Sequence, residues 1–116
     1  MKHASKKGRK FGRVKKQRVA MLNALAVSLI EHENIVTTES KAKELAKTIE
    51  PLITKARTNS IHTRRLLAKK FPSLTVKKLV DDIAKRYEGR PGGYTRITHM
   101  KRRQTDGSKM AKIQLV

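Results

Sequence analysis

The chain has 116 residues, 37% of them apolar and only 3% aromatic, with a formal net charge of +20. Such a length and apolar share predict one domain with a modest aliphatic core, and so large a charge calls for a polyanionic partner, because self-repulsion otherwise opposes the compact state. Cysteine is absent, which excludes disulfides and thiolate chemistry, and no apolar run reaches bilayer-spanning length; a cytoplasmic protein without membrane insertion is expected.

The basic residues are unevenly placed. Residues 1–18 hold nine Lys or Arg and no acid, 19–57 hold five of each sign, and 58–116 hold fifteen basic and four acidic residues. A neutral middle between two basic ends predicts a packed scaffold that presents two contact surfaces.

Residues 1–16, MKHASKKGRKFGRVKK, have no apolar pattern and no expected fold of their own in solution. This basic N-terminal extension is either a solvated tail or an arm laid along phosphates, with Gly8 and Gly12 allowing close backbone approach. The remainder, 17–116, is expected to form a single α+β domain.

Gln17 to Glu33 reads as a helix with Leu22, Leu25 and Leu29 in one row, and Ala20, Ala24 and Val27 widen the apolar arc enough to predict packing on more than one side. Asn34 is the expected left-handed stop. Ile35 to Thr37 is β-prone. Thr38 then caps a helix, with Glu39 in its first turn. Along that helix Ala42, Leu45, Ala46, Ile49, Leu52, Ile53 and Ala56 form one stripe. Pro51 interrupts the backbone bonding but not the phase of the stripe, which predicts one kinked helix over two short ones.

Thr58-Asn59-Ser60 is a turn with a capping residue. Ile61 to Lys70 follows as a helix, Leu66 and Leu67 facing inward and Arg64, Arg65, Lys69 and Lys70 forming an exposed basic band. After Phe71-Pro72, Ser73 or Thr75 is expected to cap a helix whose stripe is Val76, Leu79, Val80, Ile83, Ala84 and Tyr87, closed by Gly89. Asp81 and Asp82 are neighbours about 100° apart on that helix, hence a solvated face and no catalytic pair. Tyr94 to Lys101 and Lys109 to Val116 read as a β-hairpin around Asp106-Gly107, with Ala111, Ile113 and Leu115 on one face and Lys112 and Gln114 on the other. The short Ile35–Thr37 strand is expected to join it. The resulting fold class is α+β in two layers, about four helices on one face of a two- to three-stranded sheet.

Catalytic chemistry finds no support. His3, His32, His62 and His99 lack ligand spacing, and no metal-binding or phosphate-loop motif occurs, so no cofactor is expected. Gly89-Arg90-Pro91-Gly92 spells a backbone-clamping GXXG, but it leads from a helix into a strand, where that motif lies between two helices. It remains a candidate Gly-rich phosphate contact. The other candidate nucleic-acid contacts are Lys2, His3, Lys6, Lys7, Arg9, Lys10, Arg13, Lys15, Lys16 and Arg18 in or beside the arm, then Arg64, Arg65, Lys69 and Lys70, and finally Arg90, Arg96, Lys101, Arg102 and Arg103. Tyr94 could stack on a base or fill half of the core. With two Tyr and two Phe no stacking platform is possible, which favours shape and backbone recognition of structured RNA.

Gly8-Arg9-Lys10 with Gly12-Arg13, Ile35-x-Thr37-Thr38, Lys41-Ala42-Lys43, Glu50-Pro51-Leu52-Ile53-Thr54-x-Ala56, Arg64-Arg65, Gly92 to Ile97 and the closing Met110 to Val116 stand in one order along nearly the whole chain. Together they resemble the bacterial large-subunit ribosomal protein L-seventeen family; Gln17 departs from its pattern, which carries His before Arg18. The resemblance implies a structural constituent of a bacterial or bacterial-type organellar large ribosomal subunit. It further implies contacts with large-subunit ribosomal RNA and neighbouring ribosomal proteins near the peptide exit tunnel. No homo-oligomer is expected. A small architectural DNA-binding protein is the alternative, although no helix-turn-helix or basic zipper is visible. A small nuclease is disfavoured for want of an acidic or histidine cluster.

Overall fold

In the computed structural model, which describes Phe11 and residues 14–116, a three-stranded antiparallel sheet is backed on one face by helices. The chain runs through α1 (Lys15–His32), β1 (Asn34–Thr38), α2 (Glu39–Ala56), α3 (Ile61–Ala68) and α4 (Ser73–Lys78). A π-helical turn, Leu79–Ile83, and a last α turn, Ala84–Arg86, prolong α4 before β2 (Thr95–His99) and β3 (Met110–Leu115). The sheet order is β1-β3-β2, so the strand from the start of the chain does join the C-terminal hairpin. Ile35, Ile113 and Ile97 stand opposite one another across the three strands. They face α2, whose Ala42, Leu45, Ile49, Leu52, Ile53 and Ala56 are all buried. The α+β class and the phase of the central stripe are both as the pattern predicts.

Local chemistry explains the element ends. The Thr38 side chain accepts from the Lys41 N–H at 3.4 Å, and Ser60 accepts from the Thr63 N–H at 3.1 Å, each satisfying an orphan donor of a helix start. Pro51 lies inside α2 without dividing it; it sits on the exposed side, where water can meet the carbonyl it leaves unpaired. Beyond β2 the hairpin is carried on by Arg103 N–H to Ser108 O at 2.9 Å and Gly107 N–H to Arg103 O at 2.8 Å. Gly107 has φ 72°, a conformation that its lack of Cβ makes easy.

Four expectations need correction. The left-handed stop after α1 is Glu33, with φ 65°, and not Asn34. Its N–H reaches Leu29 O at 2.7 Å and its carbonyl accepts from Leu115 N–H at 3.0 Å, so the chain reverses one residue early and Asn34 already pairs with Gln114. Helix α1 buries only Ala26, Leu29 and Ile30, all in its C-terminal half, because the short sheet reaches no further; Val19 is exposed. In α3 only Thr63 and Leu67 are buried, and Leu66 turns to solvent, because an eight-residue helix resting one edge on its neighbours hides a single i, i+4 row. Neither Ser73 nor Thr75 caps the fourth helix. Pro72 precedes its first residue in extended conformation, the Val76 N–H goes to Pro72 O at 3.0 Å, and Thr75 is buried.

Candidate nucleic-acid interface

Which cations are available depends on where the acids go. Glu33 takes a two-pronged contact from Arg86, with one Nη2–H···Oε2 bond of 2.8 Å, and also pairs with Lys78 at 3.7 Å. Arg86 reaches Asp82 as well, at 3.1 Å from both Nε and Nη2, so one guanidinium ties α1 to the fourth helix. Those bonds, with the neighbouring positive charges, hold the Glu33 carboxyl below its ordinary range and raise the Arg86 pKa further. Arg64 donates to Asp81 at 2.6 Å and to Asn59 at 3.0 Å, and Arg103 donates to Asp106 at 3.2 Å. Glu39 pairs with Lys43 at 3.0 Å and His99 at 3.4 Å; hydrogen bonding from Lys43 keeps its pKa low. Glu44 pairs with Lys47, and Glu50 accepts from the Thr95 hydroxyl at 2.8 Å. Most of the acid is therefore engaged within the scaffold. Asp81 and Asp82 answer to different arginines.

The proposed contact residues then separate into groups. Lys2, His3, Lys6, Lys7, Arg9, Lys10 and Arg13 lie outside the described residues. Lys15 and Lys16 are exposed in the first turn of α1, which starts two residues before the pattern indicates, and Arg18 is half-buried on the same helix. Arg65, Lys69 and Lys70 are exposed at the far end of α3, without an ion pair among the described residues. Arg96 is exposed on β2 and Lys101 just past it. Arg102 donates to Gly107 O at 3.0 Å and Arg103 is paired, so both brace the hairpin turn from its exposed side.

Arg64, Arg90 and Tyr94 also carry bonds within the fold. Arg64 is held by Asp81 and Asn59. Arg90 folds back on its own loop, Nε to Gly92 O at 3.2 Å and Nη2 to Gly93 O at 3.0 Å, its guanidinium 6.0 Å from the Tyr87 ring centre. The GXXG stretch is thus closed by its own arginine. Tyr94 is fully buried and cannot offer its ring to a base; its hydroxyl donates to Arg90 O at 3.0 Å and lies 3.0 Å from the Thr54 hydroxyl.

Sequence reasoning also missed residues. Arg57, at the end of α2, sends Nη1–H to Arg90 O at 2.6 Å and to Tyr94 Oη at 3.2 Å, and its Nε is buried without a partner among the described residues. No spacing or motif marks it. Lys77, Lys85 and Lys109 are exposed and carry no ion pair among the described residues. Lys112 shows in the sequence only through the alternation that places it opposite Ala111 and Ile113. Among the described residues no three metal-ligating side chains gather, and no helix is long and apolar enough to cross a membrane.

Residues 21–116 match the family described as Ribosomal protein L17. The chain is 46% identical over its whole length to the "Large ribosomal subunit protein bL17" of Gemmatimonas aurantiaca, covering 98% of that protein. It is 49% identical over its whole length to the protein of the same name from Azorhizobium caulinodans, covering 84% of it. Against that of Caldanaerobacter subterraneus subsp. tengcongensis the identity is 47% over 93% of the chain and 97% of the relative.

Proposed function

The chain belongs to the ribosomal protein L17 family, and on that premise we propose that it is a structural constituent of the large ribosomal subunit that binds large-subunit RNA through phosphate and shape contacts. One observation carries this. The scaffold engages most of its acids internally, while exposed cations at Lys15, Lys16, Arg65, Lys69, Lys70, Arg96 and Lys101 have no ion pair among the described residues. Uncompensated surface charge of that density gains free energy by releasing the counterions of a polyanion. The buried tyrosines leave no aromatic platform, which favours a folded RNA over a single strand.

The reading places one copy in the cytoplasmic ribosome, beside other ribosomal proteins and near the peptide exit tunnel. Its role there is to hold RNA segments in place, with no catalysis. High-salt washing of large subunits followed by sedimentation tests it: the chain is expected to stay stoichiometric with the subunit. Release at moderate salt, with equal affinity for a DNA duplex, would instead mark a small architectural DNA-binding protein.

A further inference from the structure

All the helices that touch the sheet pack on one face, the one lined by Ile35, Ile97, Ala111 and Ile113. The opposite face carries no described element. Strand register sets its rows: Asn34, Gln114 and Arg96 stand side by side, and Val36, Lys112 and Thr98 form the next row. Neither row contains an acid. The side chains of Arg96, Thr98, Lys112 and Gln114 have no hydrogen bond or ion pair among the described residues, in contrast to Arg64, Arg86 and Arg103.

We propose that this open sheet face docks on the minor groove of an RNA duplex, Arg96 and Lys112 meeting phosphates while Thr98, Gln114 and Asn34 meet ribose hydroxyls; the proposal rests on the large-subunit RNA reading and names a surface for it. The charge on the face is of one sign and suits a polyanion. A protein partner would need apolar anchors at the centre of the contact; Val36, 53% exposed, is the one large aliphatic side chain in those two rows, and the methionines of the row beyond, Met110 and the adjoining Met100, lie off-centre toward the hairpin end. A single strand would need rings to stack on, and both tyrosines are buried. Three strands span about 10 Å between the outer pair, too broad for the roughly 6 Å minor groove of B-DNA. The wide, shallow minor groove of A-form RNA displays 2′-hydroxyls and base edges, a match for short amide and hydroxyl side chains between two cations.

The test titrates the full chain and two variants against large-subunit RNA, a mixed-sequence RNA duplex and the DNA duplex of the same sequence, over a salt series. Arg96→Ala with Lys112→Ala is expected to flatten the slope of log K against log salt on duplex RNA by about 1.5 units. Thr98→Val with Gln114→Ala is expected to keep the slope and reduce the preference for RNA over DNA. If the alanine pair fails to fold, Lys112→Gln alone carries the test, with a flattening of about 0.8 units. A full chain that binds large-subunit RNA while both variants match it in slope and preference overturns the proposal and leaves the broader reading standing. A full chain that does not bind large-subunit RNA overturns that reading too. Variants that bind RNA normally but drop out of assembled subunits would assign the face to a protein, which also overturns it.

Discussion

The rings of Tyr87 and Tyr94 pack at 4.9 Å between centroids with their planes 50° apart, which locks the end of the fourth helix to the strand that follows. Each hydroxyl then ties in a distant segment. Tyr87 donates to Val116 O at 2.6 Å, and Tyr94 links Arg90, Thr54 and Arg57. Burial raises the Tyr87 pKa, as expected for a phenol kept neutral in the core.

Removing the Tyr94 hydroxyl is therefore a core change. Tyr94→Phe takes a partner from Arg57, whose Nε is already unsatisfied, and is expected to cost about 1–3 kcal/mol. Tyr94→Ala should cost about 3–5 kcal/mol. Denaturant unfolding measures both. A Tyr94→Phe protein of unchanged stability but weakened RNA binding would return the residue to the interface.

Leu45 and Ile49 sit in the middle of the α2 stripe with no exposed surface. Alanine at either should lower stability by about 2–5 kcal/mol through lost transfer energy and the cavity left behind. Thermal melts that do not move would remove the central helix from the core.

Glu33 gives a pH signature. Its folded-state pKa is lowered, chiefly by the hydrogen bond from Arg86, so its contribution is complete above the ordinary value of 4.5 and disappears as pH falls through the folded-state value. Glu33→Gln should cost about 1 kcal/mol at neutral pH, modest because more than a third of each partner's side chain is exposed. The gap between wild type and variant is expected to close on acidification. Melting curves from neutral pH to acid would show it; a gap that widens would refute the assignment.

Asp81 and Asp82 lie on the solvated face expected of them and there pair with Arg64 and Arg86. Changing both to Asn should cost about 1–2 kcal/mol and add two units of net positive charge. Affinity for RNA at low salt is expected to rise, and equilibrium binding at two salt concentrations reads the effect. A nucleic-acid cleavage activity lost in this variant would overturn the structural role.

Truncation tests whether the arm and the domain are separable. Because α1 begins at Lys15, removal of residues 1–13 cuts into none of the described helices or strands and takes away six Lys or Arg. Melting should be little changed. If about half of those cations reach phosphates, the salt slope should flatten by roughly 2–3 units. Parallel titration lines for the two proteins would mean a solvated tail.

Periodicity alone was enough to assign α2, the stripe of the fourth helix, the C-terminal hairpin and the α+β class. In α2, the fourth helix and β3 one face is buried, so residue spacing and burial report the same thing; β2, with no buried residue, was legible from its alternation and the Asp106-Gly107 turn. Thr38, Ser60 and Gly107 were legible for a related reason: caps and turns are satisfied by atoms within a few residues. What the sequence could not separate is a cation left in solvent from one that holds the fold. Arg64 and Arg65 are adjacent, yet a carboxylate 17 positions from Arg64 claims one and leaves the other in solvent. Arg57 and Tyr94 meet across 37 positions, and Leu66 is exposed because α3 rests only one edge on its neighbours. Long-range pairing decided which side chains are engaged within the fold, since a side chain's charge and size are local properties, whereas its availability is set by whichever distant group the tertiary fold brings within hydrogen-bonding reach.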